Sequence, residues 1–258
     1  MLARFTVGNF LSFNENQSLC LVAGSEERDT ERLFKTEGLD LLKFASIFGA
    51  NASGKSNVIK AMAFAQHLVL QGVGSIAAVN QFYRLNPANE EKPSYFEFEI
   101  VIDGLCYAYG FEVLIAQKRI TEEWLYALSS EKERPLFTRN CIDGSYAYEP
   151  SLVPDSLRAR FEICLSAMQQ AHNVLFLHHI VTDKPALYEE EGALSLFFEL
   201  HRWFVALTLA NPSSSLSGYS LMAIKQPQEM GRAITHFATG ISFVHFKPIG
   251  FEQVEQLV

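Results

Sequence analysis

The chain has 258 residues, of which 48% are hydrophobic and 19% are charged, and its formal net charge is −8. This composition excludes a disordered, collagen-like or coiled-coil protein and a wholly basic nucleic-acid coat. The cysteines at positions 20, 106, 141 and 164 form no CxxC pair, which favours scattered thiols in a reducing cytosol. No signal peptide or membrane span is visible, so the sequence predicts a cytoplasmic protein with no membrane partner.

The first 48 residues predict a hairpin, a loop and a strand. Residues 2–7 alternate in hydrophobicity, and residues 17–22 repeat this pattern after a turn-like Asn-Glu-Asn. The protein should therefore open with an antiparallel hairpin. Residues 24–40 are charged and loop-like, whereas the apolar run of residues 43–48 is compatible with a buried strand.

A glycine-rich loop follows that strand. Residues 49–56 match the phosphate-binding pattern GxxxxGK[ST] at every fixed position. Gly49 and Gly54 let the backbone wrap around a phosphate, and successive N–H groups would form an anion nest at a helix N-terminus. Lys55 would reach the β- and γ-phosphates, and the Ser56 hydroxyl would ligate Mg²⁺. The alternative is a chance glycine turn with an exposed lysine.

The expected phosphate-binding residues are Gly49, Asn51, Ala52, Ser53, Gly54, Lys55, Ser56 and Asn57. A helix should follow this loop and end near Gly72 and Gly74, because apolar residues recur at helical spacing from Val58 to Val69.

The rest of the chain predicts an antiparallel meander and then helices. Residues 95–102 alternate in hydrophobicity, and Asp103-Gly104 forms a hairpin turn to a partner strand at residues 107–113. Residues 120–128 can form a third strand. Asp143-Gly144 marks another hairpin. Further predicted elements are a helix around residues 157–165, a strand at 174–181, a helix at 191–210, a Ser-rich loop at 211–215 and a strand at 241–246.

These motifs resemble a known family. Residues 48–61 resemble the Walker A segment of ABC-type ATPases of the SMC/RecF class, in particular the bacterial "AAA family ATPase" group related to RecF, the OLD nucleases and RloC. The opening residues 5–13 resemble that group's first strand and NFxSF turn. The resemblance implies that Asn9 and Ser12 lie beside the phosphates; satisfying a tight turn is the alternative role. It implies ATP and Mg²⁺ as cofactors.

The resemblance also defines what is absent. The ATPase domain of this family, called the head, needs a signature motif and a Walker B strand ending in Asp-Glu. This sequence contains no clear match to either. Leu216-Ser217-Gly218 is better explained as a loop, and Asp103 as a turn residue. Residues 180–183, which end in Asp183, are a still weaker Walker B candidate. We therefore expect an N-terminal part of a longer ATPase or one half of a split head.

Other candidate residues are weaker. No catalytic acid can be assigned. The γ-phosphate-sensing glutamine stays open among Gln81, Gln169 and Gln170. His178, His179 and Asp183 include types that bind metals, but adjacent histidines on a strand point to opposite faces, which favours packing. The residues Leu196, Leu200, Trp203 and Leu207 would form a buried helix face by default, or otherwise an exposed partner groove.

The expected fold is an α/β P-loop NTPase of the ABC-ATPase type with an antiparallel meander, a helical segment and no C-terminal half. Residues 1–94 would form the hairpin and nucleotide-binding part, 95–150 the antiparallel insert, and 151–258 a mainly helical segment. The resemblance implies dimerisation through ATP-sandwiched heads, and a role in DNA repair or antiviral defence with a nuclease or toxin effector. The acidic charge argues against strong independent DNA binding. The alternatives are a non-hydrolysing nucleotide-gated scaffold and another P-loop class, a kinase or GTPase, although no guanine-reading NKxD occurs.

Overall fold

A computed structural model describes residues 1–24, 30–36, 38–129, 132–182 and 195–210. The chain divides into a unit of residues Met1–Leu209 and a second unit of Ala210–Val258, and only the first is described below. The expected loop at 211–215, the signature-like residues 216–218, the strand at 241–246 and Asp183 therefore lie outside the described residues. In the described part, no helix has the length and apolarity that crossing a membrane requires.

The described residues form an α/β structure around a mostly antiparallel sheet. Its strands are β1 (Leu2–Gly8), β2 (Gln17–Cys20), β5 (Ser94–Ile102), β6 (Leu105–Leu114), β7 (Arg119–Leu128), β8 (Glu133–Asn140) and β9 (Tyr146–Tyr148), while β3 (Leu33–Lys35) and β4 (Asp40–Leu42) form a separate pair. The helices are α1 (Lys55–Gln71), α2 (Asp155–Ala167), α3 (Phe176–Thr182) and α4 (Ser195–Ala206). The seven-stranded sheet has the order β2-β1-β5-β6-β7-β8-β9.

The opening hairpin and the meander are confirmed. β1 pairs antiparallel with both β2 and β5, so the first strand joins the meander edge to edge. Asp103 and Gly104 both have positive φ, 50° and 81°, as a two-residue hairpin turn between right-twisted strands requires. The loop that contains Gly144, whose φ is 76°, connects β8 to β9.

Alternation along the strands builds the core. Phe96, Phe98 and Ile100 are fully buried on one face of β5, as their spacing predicts. Phe98 contacts Phe5 on β1 and Phe204 on α4, with ring centroids 4.6 Å and 5.0 Å apart. Burying an aromatic side chain of this kind stabilises the fold by roughly 1.5–3 kcal/mol.

Three predicted elements are corrected. Residues 43–48 form no strand and are exposed: the Lys43 N–H donates to the Arg32 carbonyl at 3.1 Å, but none of the described residues pairs with the backbone of residues 44–48. The expected strand at 174–181 is instead helical over Phe176–Thr182, so the argument that His178 and His179 point to opposite faces of a strand does not apply. The loop-like stretch 24–40 contains the short strand β3.

A buried ion pair fixes α3 to the sheet. Glu123 and Arg139 have side chains with no solvent exposure and are 2.8 Å apart. The Glu123 carboxylate also accepts hydrogen bonds from the Tyr109 hydroxyl and from the backbone N–H groups of Phe176 and Leu177. Burial, followed by the neighbouring Glu123 charge, raises the pKa of Tyr109 well above its usual value. One feature of the sequence points to this network: Glu123 is a charged residue at an inward-facing position of β7.

Candidate functional site

The loop of residues 49–54 is open and leads directly into α1. Ala52 and Gly54 have positive φ, 64° and 93°, and Gly54 is the residue that precedes the first helical turn. Ser53 N–H donates to the Ala50 carbonyl at 3.2 Å, closing a turn inside the loop. Residues 49–53 are exposed, so a ligand can reach the loop from solvent.

Backbone donors in this loop lack acceptors. Among the described residues, the N–H groups of Asn51, Ala52, Gly54 and Lys55 have no hydrogen-bond partner. Free N–H groups at the N-terminus of a 17-residue helix attract an anion, because the helix dipole adds partial positive charge at the same point. The loop therefore fits a phosphate group by its own geometry.

Lys55 closes the loop from one side. Its ammonium donates to the Gly49 carbonyl at 2.8 Å and to the Ala50 carbonyl at 2.7 Å. None of the salt bridges among the described residues involves Lys55. Its charge is thus held at the loop without a neutralising carboxylate, which leaves it available to an anion.

The first turn of the chain lies against the glycine loop of residues 49–54. The Ser12 hydroxyl accepts a hydrogen bond from the Asn57 side chain at 3.0 Å, and a Cβ placed on Gly54 would approach it to 2.7 Å. Phe10 holds this turn in place, since it is fully buried and its ring packs against that of Phe64 on α1, with the centroids 5.0 Å apart. The sequence named Ser12 and Asn57 separately and missed the bond between them.

Asn9 has a structural role instead. Its side chain donates to the carbonyls of Asn89 and Lys92, each at 2.9 Å, and accepts from the backbone N–H of Tyr83 at 3.1 Å. These bonds use its polar atoms, as the tight-turn alternative expects, and leave none facing the loop.

The remaining candidates divide by location. Gln81 lies beside the first turn, where its carbonyl accepts from Leu11 N–H at 2.7 Å. Gln169 and Gln170 lie near Gly144 at the β8–β9 connection. Asp103 occupies the exposed hairpin turn.

Metal coordination is limited to what the loop offers. Ser56 is exposed in the first turn of α1, where its hydroxyl can face a phosphate-bound Mg²⁺. Within the described ranges, no group of three or more His, Cys, Asp or Glu side chains can hold a metal ion.

Comparison with known families agrees with this geometry. Residues 44–162 match a family model described as "AAA domain, putative AbiEii toxin, Type IV TA system". This part of the chain is similar to a P-loop ATPase domain. The matched range contains the glycine loop, α1 and strands β5–β9, and an AAA domain implies nucleotide binding, usually with Mg²⁺. No curated protein matches the chain.

Proposed function

We propose that this chain is the nucleotide-binding part of an ABC-type ATPase of the SMC/RecF class, and that it binds ATP with Mg²⁺ at residues 49–57. Two such heads would sandwich ATP and thereby control a DNA-directed process in the cytoplasm, such as antiviral defence or DNA repair. A nuclease or toxin would act as the effector. The toxin–antitoxin wording of the matched family description is in keeping with an effector partner.

The observation that carries the proposal is the glycine loop with its unpaired donors. Four backbone N–H groups and the Lys55 ammonium converge on one exposed loop at the start of α1. A triphosphate supplies the oxygen acceptors that the four N–H groups lack, and the negative charge that Lys55 lacks among the described residues.

The segment in front of the loop supports an incomplete head. Residues 44–48 are exposed, with Phe44 and Phe48 at 79% and 90% exposure, and no hydrogen bond joins their backbone to another described residue. Apolar residues with unpaired backbone groups are suited to pair with a further strand. We propose that the remainder of the head, in this chain or another, provides that strand and the missing catalytic acid.

A non-hydrolysing scaffold is the second candidate. It is favoured by the lack of a recognisable Walker B acid in the sequence, since hydrolysis needs an acid to position water. In that case ATP would order an interface without being consumed.

Calorimetric titration with ATP and Mg²⁺ tests the binding site. Lys55→Ala should weaken ATP binding about 10–150-fold, because a hydrogen bond to a charged group contributes about 1.5–3 kcal/mol. Lys60→Ala is the matched control, since Lys60 is an exposed lysine on the same helix and should leave affinity unchanged. Equal ATP binding by wild type and Lys55→Ala would disprove the site.

Phosphate release separates the two candidates. The purified 258-residue chain should bind ATP but release negligible phosphate at any protein concentration. Turnover that appears only when a polypeptide with the missing half is added would support the ATPase. Turnover by the chain alone that is lost in Lys55→Ala and independent of concentration would contradict the incomplete head.

A further inference from the structure

Two histidines meet between the last two described helices. His178 on α3 and His201 on α4 have ring centroids 6.2 Å apart, and the two helices pack against each other. The sequence had paired His178 with its neighbour His179, whereas the fold pairs it with a residue 23 positions further on (201 − 178 = 23).

Each ring has a polar atom without a partner. His178 Nδ1 and His201 Nε2 are both inaccessible to solvent and form no hydrogen bond to any of the described residues. A buried ring nitrogen without a partner is costly, and the cost changes when the ring gains a proton, because the charged ring needs solvation on both nitrogens.

The surrounding charges do not compensate a second proton. Burial, followed by the charge of His178, lowers the pKa of His201. The other charged or titratable side chains are His179 on α3, Glu199 and Arg202 on α4, and Lys55, Lys60 and His67 on α1. Helix α2, whose Phe161 contacts α3 and α4, carries Asp155, Arg158, Arg160 and Glu162. On the sheet, Glu123 accepts from the first N–H groups of α3 and is paired with Arg139. Glu199 is paired with Arg202 at 2.5 Å, Lys60 and His67 are exposed, and Lys55 donates to the glycine loop.

Helix α4 is in turn bound to the glycine-loop helix. The Gln66 amide on α1 donates to the carbonyls of Phe204 and Leu207, each at 2.7 Å. Trp203 lies two residues from His201 on α4, and its ring meets the ring of Phe98 edge-on, with the centroids 5.8 Å apart. A change in the α3–α4 contact would therefore alter the surroundings of Trp203, and with them its fluorescence.

We propose that His178 and His201 form a proton-sensitive contact that holds α4 against α3 at neutral pH and weakens when both rings are protonated. Two like charges at this separation repel each other, and neither buried nitrogen has an acceptor for its new proton. The inference does not depend on nucleotide binding at the glycine loop.

The test is a pH titration from about pH 8 to about pH 5, the range in which histidine changes charge. In a Trp124→Phe background, which leaves Trp203 as the single tryptophan, fluorescence should show a transition below the ordinary histidine pKa. Adding His178→Gln should abolish that transition, and the control His67→Gln should retain it. Persistence of the transition in the His178→Gln protein would overturn the proposal.

Proton NMR of the histidine rings provides a second measurement on the otherwise unaltered chain. The midpoint of His201 should lie below the ordinary histidine value, and His178→Gln should move it upward. A midpoint of His201 that does not respond to His178→Gln, in a protein shown to be folded by circular dichroism, would also overturn the contact.

Discussion

The antiparallel sheet and the segment that leads into the glycine loop are both rich in aromatic residues, yet they have opposite environments. Phe96 and Phe98 are fully buried, whereas Phe44 and Phe48 are 79% and 90% exposed. The difference lies in the backbone: β5 has a hydrogen-bonded neighbour on each side, and residues 44–48 have none among the described residues. Hydrophobicity alone therefore does not decide burial, because a strand is buried only where other elements pair with it and cover it.

The largest loss of stability is expected when the buried Glu123 carboxylate is removed from the sheet. Glu123→Ala leaves Arg139 buried without its counter-ion and removes the acceptor for two N–H groups of α3. We expect a loss of about 3–5 kcal/mol in the free energy of unfolding, measured by urea denaturation. The exposed Glu133→Ala is the control and should change it by less than about 0.5 kcal/mol. A similar small loss for Glu123→Ala would mean that the ion pair is not what anchors α3.

One residue type tests both regions directly. Phe98→Ala should cost about 3–5 kcal/mol, because it opens a cavity among aromatic rings. Phe48→Ala should change the free energy of unfolding by less than about 0.5 kcal/mol, because its ring has almost no contacts to lose. Thermal or urea unfolding of the two variants gives the comparison. If Phe48→Ala destabilises the protein as much as Phe98→Ala does, residues 44–48 are packed, and the difference in burial between this segment and β5 does not exist.

The glycine loop should show an intermediate effect. Gly54→Ala and Gly104→Ala both place a Cβ on a residue with positive φ, which costs about 1–2 kcal/mol. Gly104 faces open space, but at Gly54 the new Cβ would lie 2.7 Å from the Ser12 hydroxyl oxygen. Gly54→Ala should therefore destabilise more than Gly104→Ala in urea unfolding, and adding Ser12→Ala should remove the difference. Equal losses for the two glycine variants would show that the turn does not press on the loop.

The smallest effect concerns two acids on the outer face of the sheet. Glu112 and Glu122 lie directly opposite on β6 and β7, and burial, followed by the Glu122 charge, raises the pKa of Glu112 above its usual 4.5. The unfolded chain then loses its proton first, so the free energy of unfolding should fall as pH rises from 4.5 through the folded-state value.

Glu112→Gln should remove that penalty. We expect a gain of about 0.2–1 kcal/mol at neutral pH and no gain below the ordinary glutamate pKa, measured by urea unfolding at both pH values. Glu15→Gln, an exposed glutamate with no such neighbour opposite, should give no pH-dependent difference. A gain that is equal at both pH values would point to packing and not to charge.

The sequence by itself determined the local elements. Alternation and the Asp103-Gly104 turn predicted β5 and β6 because both signals act over two to ten residues. The glycine pattern at 49–56 predicted an open loop before a helix because phosphate contact requires free N–H groups at that point.

Only the tertiary structure decided how these elements meet. Residues 174–181 form an apolar run short enough for either a strand or a helix, and Glu123 at the start of α3 satisfies the helix's first N–H groups. The contacts between Ser12 and Asn57, and between His178 and His201, join residues 45 and 23 positions apart (57 − 12 = 45; 201 − 178 = 23). The exposure of residues 44–48 likewise reflects the lack of a pairing strand among the described residues, since the pairing of backbone groups is non-local and a single segment cannot encode its partner.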